Sequence, residues 1–217
     1  MNQIKLYIFL ITCIALLFWQ NCLFGQNNGS ALGVPTITNF STAKLKGGPQ
    51  NWAVAQDARG ILYFANSKGV LEFDGAEWRL TPIPNKAVAR SLAIDENGRI
   101  YVGAQNEIGF LDVGKFGEVN YKSLKDELPE GAQEFGGVPN IHILNQGVFF
   151  HTVKRAYFWR TGDFDVLEPK TLFQLSFKAN GEVYVNESGT GLMRLSGGEL
   201  RPVPRGDFFA NMRIELI

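Results

Sequence analysis

Two cysteines and two histidines are all that this 217-residue chain offers to thiol or imidazole chemistry. Both cysteines, Cys13 and Cys22, precede Gly25. Beyond them nothing remains to build a disulfide, a Cys-ligated zinc site or a thiol nucleophile. Neither sign of charge dominates, with 21 basic and 21 acidic residues. That balance removes the electrostatic case for nucleic acid or an anionic membrane surface. Long apolar runs are missing too. The one run, Leu6 to Trp19, is shorter than the ~20 residues a spanning helix needs. Gly47-Gly48 and Gly136-Gly137 have neither the following Lys nor the helix of a phosphate loop. The expectation is a chain with no cofactor, no metal and no catalytic set.

The N-terminus is also short of charge. Lys5 is the only charged residue before Lys44. A lone basic residue, the apolar run and the polar Gln20-Asn21 predict a secretory signal over residues 1–26, cut near Gly25 or Gln26. A retained anchor is the competing reading. Lipidation at Cys22 is disfavoured by the bulky Trp19-Gln20-Asn21 before it. An exported domain without disulfides is held by its core alone, and roughly 190 mature residues suffice to bury one.

What the chain has is glycine, 24 residues of it, and 12% aromatics. Aromatic runs punctuated by glycine predict an all-β chain with many tight turns. The stretch Asn51–Trp78, NWAVAQDARGILYFANSKGVLEFDGAEW, reads as strand, turn, strand, turn, strand. Versions of it recur over about 51–85, 89–128, 139–170 and 173–204. Each is a four-strand meander whose first strand ends in a glycine turn: Asp57-Ala58-Arg59-Gly60, Asp95-Glu96-Asn97-Gly98, Asn145-Gln146-Gly147 and Ala179-Asn180-Gly181. Glycine supplies positive φ there, and Asp or Asn bonds its own backbone. An insertion at residues 114–139 separates the second and third units, and Lys122–Leu128 is expected to form a short helix or an irregular outer strand. Residues 27–50 read as a leader, with a possible ring-closing strand at Gly33–Phe40. The repeats continue over 51–217, and 208–217 reads as the start of a fifth.

Four-strand units at this spacing are the signature of β-propeller blades. One meander cannot bury both faces, so blades stack around an axis and ring closure protects the sheet edges. About four blades are present, which predicts an incomplete ring and an N-terminal piece of a longer protein. Trp52, Phe64, Phe73, Trp78, Phe110, Phe149, Phe158 and Trp159 suit packing between blades.

The Asn51–Trp78 stretch resembles the two-component regulator propeller repeat, whose pattern is roughly V-x-x-I-x-x-D-x-x-G-x-L-W-x-G-T-x-x-G-L-x-x-x-D-G. Asp57, Gly60, Leu62, Gly69, Leu71, Asp74 and Gly75 fall on patterned positions, while Tyr63 replaces the usual Trp. The second unit fits as well, and the third and fourth diverge. The resemblance implies the periplasmic sensor region of a two-component regulator. In long members a three-tyrosine β-sandwich, a membrane helix and a histidine kinase or DNA-binding output domain follow. The implied partners are further blades and those downstream signalling domains, with a homodimer and an inner-membrane anchor in the full-length form.

His142 and His151 are expected to be structural or surface residues, and Asp57 and Asp95 to form turns. A ligand site is placed by geometry instead, on the loops between second and third strands and those leading into first strands. The candidates are Gln50, Asn51, Asn66, Ser67, Lys68, Gln105, Asn106, Glu107, Lys154, Arg155, Glu187 and Ser188. Their amide, hydroxyl and charged groups suit a small polar ligand such as a sugar or peptide. Joint substitution of Asn66, Gln105 and Glu187 is expected to abolish binding. The alternatives are a propeller lyase or hydrolase, and a purely structural interaction propeller.

Overall fold

The computed structural model describes residues 37–114 and 118–214. The secretory signal expected over 1–26 lies outside them, as do residues 27–36 of the expected leader, with Gly33–Thr36 of its possible closing strand. Residues 37–40 form no strand. Between them and the first repeat, within the segment read as a leader, Thr42–Leu45 makes one turn of α-helix, α1.

Four sheets follow, each an antiparallel meander of four sequential strands. Blade one is β1 (Asn51–Gln56), β2 (Leu62–Asn66), β3 (Gly69–Phe73) and β4 (Trp78–Thr81). Blade two is β5 (Ala89–Ile94), β6 (Ile100–Ala104), β7 (Glu107–Val113) and β8 (Val119–Ser123). Blade three is β9 (Asn140–Leu144), β10 (Gly147–His151), β11 (Ala156–Arg160) and β12 (Asp163–Leu167). Blade four is β13 (Phe173–Ala179), β14 (Glu182–Glu187), β15 (Gly191–Ser196) and β16 (Glu199–Pro202). All sixteen lie in the compact unit that begins at Phe40.

Side chains of a strand alternate between faces, so a blade sandwiched between neighbours needs apolar residues on both. The second strands show this directly. In β6, Val102 packs toward blade one with Tyr63, Ala65 and Val70. Its neighbour Tyr101 packs toward blade three with Ile141, Val148 and Trp159. In β10, Phe150 joins that same core while Phe149 packs on blade four against Phe173, Val183 and Val185. Three separate apolar seams result, one per blade junction. The inner strands meet in order, β1 beside β5, β5 beside β9, β9 beside β13, with no comparable packing of β13 on β1. The described residues of this unit form an open arc of four propeller blades.

Glycine is required where the third strand passes under the chain leaving the fourth. A Cβ on Gly69 (φ +134) would lie 2.3 Å from the Thr81 carbonyl, and one on Gly191 (φ +105) 2.2 Å from that of Gly206.

Several expectations need correction. Phe64, Phe73 and Trp78 do not pack between blades. They cluster on the outer face of blade one, where Phe73 stacks on Trp78 at 4.4 Å and Phe40 meets both rings edge-on. The reason is register, since Tyr63 and Ala65 take the face toward blade two and leave Phe64 the other. No strand begins at residue 208. Gly206–Phe209 is a 3-10 turn, and no strand follows through Ile214. Within the insertion, Val119–Ser123 is a regular strand and only Lys125–Glu127 is helical, as a 3-10 turn. The rest of the insertion is no loose loop. Leu124, Leu128, Ala132, Phe135 and Val138 are buried in the seam between blades two and three.

Candidate functional site

Turns between second and third strands share one face of the arc with the segments that lead into first strands. Backbone bonds tie the two together: Ser67 N to Gln50 O at 3.0 Å, Gln105 N to Val88 O at 2.9 Å, and Ser188 N to Leu172 O at 2.9 Å. Every candidate named from the sequence lies on this face.

Many of those side chains are committed to the fold. Asn66 is fully buried. Its Oδ1 accepts from Gly48 N at 2.7 Å and Lys68 N at 3.0 Å, and its Nδ2 donates to Gly48 O, Gln50 O and Asn51 Oδ1. Asn106 accepts from Phe135 N at 2.8 Å and donates to Glu134, pinning the insertion. Glu107 is buried and accepts from the Ser123 and Tyr121 hydroxyls. Burial pushes its carboxyl above the usual range against those two bonds. Burial, with the Glu107 charge beside it, also raises the Tyr121 phenol. Arg155 reaches Glu168 at 2.9 Å and the Gly131 carbonyl at 2.7 Å. Glu187 is buried and accepts from Lys170 N. Gln50, Asn51, Lys68, Gln105 and Lys154 are exposed, with Ser67 and Ser188 half-buried. Each of these turns is bonded to the segment of backbone that leads into a first strand.

The opposite face carries the turns between first and second strands. Asp57 Oδ1 accepts from Arg59 N and Ile61 N, and Asp95 Oδ1 accepts from Asn97 N and Arg99 N, each at 2.8–3.0 Å. A tyrosine two residues into the next strand donates to the other oxygen, Tyr63 to Asp57 and Tyr101 to Asp95. Burial raises the Asp57 pKa, but the Arg59 guanidinium and the two backbone N–H groups outweigh it and hold the carboxyl below its ordinary range. Burial pushes Tyr63 up to about 12, with Glu72 and Asp57 adding to it. Both aspartates are turn formers, as their sequence positions imply.

On this face a cleft of about 510 Å³ opens between blades two and three. The first turn of blade two supplies Asp95, Glu96, Asn97 and Arg99, and that of blade three supplies Asn145 and Gln146. Thr161 and Lys178 complete its polar rim, while Ile94, Val148 and Trp159 form its apolar wall. A second cleft of about 300 Å³ between blades three and four shares Leu144, Asn145 and Gln146 with it. Sequence reading passed over this face because its residues are ordinary turn residues. The cleft exists only through the spacing of adjacent blades.

The two histidines lie in the seam between blades three and four. His142 Nε2 is 2.8 Å from Ser176 Oγ. His151 is 1% exposed, and neither ring nitrogen has a partner among the described residues. Burial lowers both to about 4, with the Ser176 bond opposing it at His142 and the neighbouring His142 adding to it at His151. Among the described residues no group of three or more His, Cys, Asp or Glu side chains is placed to hold a metal ion. Nor is any helix among them long and apolar enough to cross a membrane.

No family model and no curated protein matches the chain. Solved structures do. Virginiamycin B lyase from Staphylococcus aureus aligns with TM-score 0.54 and 14% identity, over 76% of this chain and 59% of the lyase. The extracellular domain of the hybrid two-component system BT4673 from B. thetaiotaomicron aligns with TM-score 0.52 and 16% identity, over 74% of this chain and 22% of that one. The WD40 propeller domain of Doa1 aligns with TM-score 0.52 and 16% identity, over 72% of this chain and 55% of that one. The chain thus spans between about a fifth and three-fifths of these proteins. At such identities the likeness is one of fold, and the fold is the β-propeller.

Proposed function

We propose that this chain is the ligand-sensing propeller region of an exported two-component signal transduction regulator. It binds a small polar ligand and does not transform it. The observation that carries this reading is the placement of the two histidines. A lyase-type mechanism needs an imidazole that reaches substrate. Here one ring is bonded across a blade seam to Ser176 and the other is enclosed beside Phe173, both held neutral by burial. Polar side chains free of internal partners lie instead on open turns, as a binding surface requires.

Support also comes from the Asn51–Trp78 repeat and from the fold shared with the BT4673 extracellular domain. On this reading the segment over 1–26 directs export, and further blades extend the arc from its open faces. Downstream domains anchor the protein in the inner membrane and carry the signal.

Two measurements test the proposal. Fractionation of cells expressing the chain should recover it in the periplasm with residues 1–26 removed. The mature chain should then show ligand-dependent thermal shifts in a screen of polar metabolites, with every shifting compound recovered unchanged. Turnover of a compound, lost on His142→Ala, would sink the sensor reading and favour the enzyme.

A further inference from the structure

A balanced net charge conceals how the charges are distributed over the arc. Of Lys, Arg, Asp and Glu, the four first strands β1, β5, β9 and β13 hold only Arg90 and Lys178. Both are basic, and no carboxylate shares those strands. Lys178 donates to the Ile143 carbonyl at 2.7 Å. Arg90 has neither an ion pair nor a hydrogen-bond acceptor for its side chain among the described residues. Other arginines differ, since Arg59, Arg79, Arg155, Arg160, Arg194 and Arg201 each pair with a carboxylate.

An aromatic ring holds Arg90 instead. Its guanidinium carbon lies 4.5 Å from the centre of the Trp52 ring. Each residue occupies a bulge near the start of its strand, Trp52 between Asn51 and Ala53, Arg90 between Ala89 and Ser91. A bulge re-aims the side chain it carries. Two at matching positions bring cation and ring together across the junction of blades one and two. Both residues are half-buried. The carboxylates at the turns of this face do not pair with Arg90. Glu107 is buried on the Ser123 and Tyr121 hydroxyls, and Glu187 on Lys170 N. Lys68 and Lys86 stand exposed on the same face without an ion pair among the described residues. Their charge adds to that of Arg90 and favours an anion.

We infer that the Arg90–Trp52 pair binds the carboxylate of a small organic acid. A planar guanidinium matches a carboxylate with two parallel N–H···O bonds, and the ring against it limits the freedom of the fork. Two exposed amides lie close along the backbone. Gln50 precedes Trp52 by two residues, and Gln105 donates its N–H to the Val88 carbonyl at 2.9 Å. Amide side chains both donate and accept, which suits the remaining polar groups of such a ligand. The inference rests on the ligand-binding reading above and assigns it a place and a chemical class.

Titration of the mature chain with succinate, benzoate and acetyl-alanyl-alanine, each beside its uncharged amide, tests it through the indole N–H resonance of Trp52. At least one acid should bind, and its amide about tenfold or more weakly. Binding of the dipeptide alone assigns the carboxylate to a peptide end, and binding of succinate or benzoate to a free acid. Arg90→Gln should weaken binding about tenfold or more. Arg90→Lys keeps the charge, loses the fork and should still cost about threefold or more, with an unchanged urea midpoint. Lys154→Ala, on the same face at blade three, should change affinity less than about twofold. Amides that bind as tightly as acids overturn the site, as does acid binding that survives Arg90→Gln. If no acid binds while a neutral metabolite still shifts the melting temperature, the carboxylate site falls and the sensor reading stands. Turnover of an acid whose binding needs Arg90 would keep the site and overturn the sensor reading.

Discussion

His151 is the residue whose environment costs the most without visible return. An imidazole buried with both nitrogens unbonded is penalised by about 1–3 kcal/mol. His151→Leu should therefore raise the urea midpoint at pH 7, and a large destabilisation would mean that the ring makes a bond this geometry does not show. The pH dependence follows from the same burial. In the fold both histidines stay neutral down to about pH 4, whereas an unfolded histidine binds its proton near 6.5. Between those values the unfolded chain holds more protons, so stability falls as pH drops from about 6.5 to about 4 and levels off below. Thermal midpoints across that window check it, and His151→Leu should flatten the slope. Asn66 makes the opposite case. Asn66→Ala would strip partners from Gly48, Gln50 and Lys68 and should cost about 3 kcal/mol in urea unfolding. Loss of ligand binding on substituting Asn66 or Glu187 would thus report damage to the turn, and exposed residues make the cleaner probes.

At the scale of the element, the unit is the Asp-capped first turn braced by a tyrosine. Asp57→Ala and Asp95→Ala should each lower the melting temperature by about 3 °C, near the loss of one capping bond. Because the Asp57 carboxyl is held below its ordinary range, its contribution is complete at neutral pH. It fades as pH falls through the folded value, so Asp57→Ala and the unmodified chain should converge in strong acid. The third strands of blades one and four depend instead on their first residue, a glycine. Gly191→Ala sets a Cβ against the Gly206 carbonyl at a positive φ and should cost about 2 kcal/mol or more. A neutral Gly191→Ala would show that the chain after β16 shifts freely.

For the whole molecule, the question is what lies on the outer faces of the arc. Val54 is 62% exposed on β1, on the face of blade one away from blade two. Val102, in the seam between blades one and two, is fully buried. Val54→Lys should change the stability of this chain by less than about 0.5 kcal/mol, while Val102→Lys should unfold it. Were Val54→Lys strongly destabilising in a longer protein carrying this arc, a neighbouring blade would be located on that face.

Much of this was legible in the sequence, and the reason is local. The glycine turns and alternating strands repeat within each unit, and their chemistry needs only residues a few positions apart. Asp57 with Gly60 and Asp95 with Gly98 mark hairpins whatever surrounds them. Four blades and their sixteen strands follow from that grammar. Tertiary structure decided which polar residues were free. Asn66 and Lys68 look equally available in the chain, yet the backbone arriving from Gly48 buries one and leaves the other in solvent. It also decided where space remains. The cleft between blades two and three is bounded by turns some fifty positions apart, about the length of one blade and its insertion. A gap of that kind depends on how two sheets are spaced across their shared seam, which no local pattern of residues encodes.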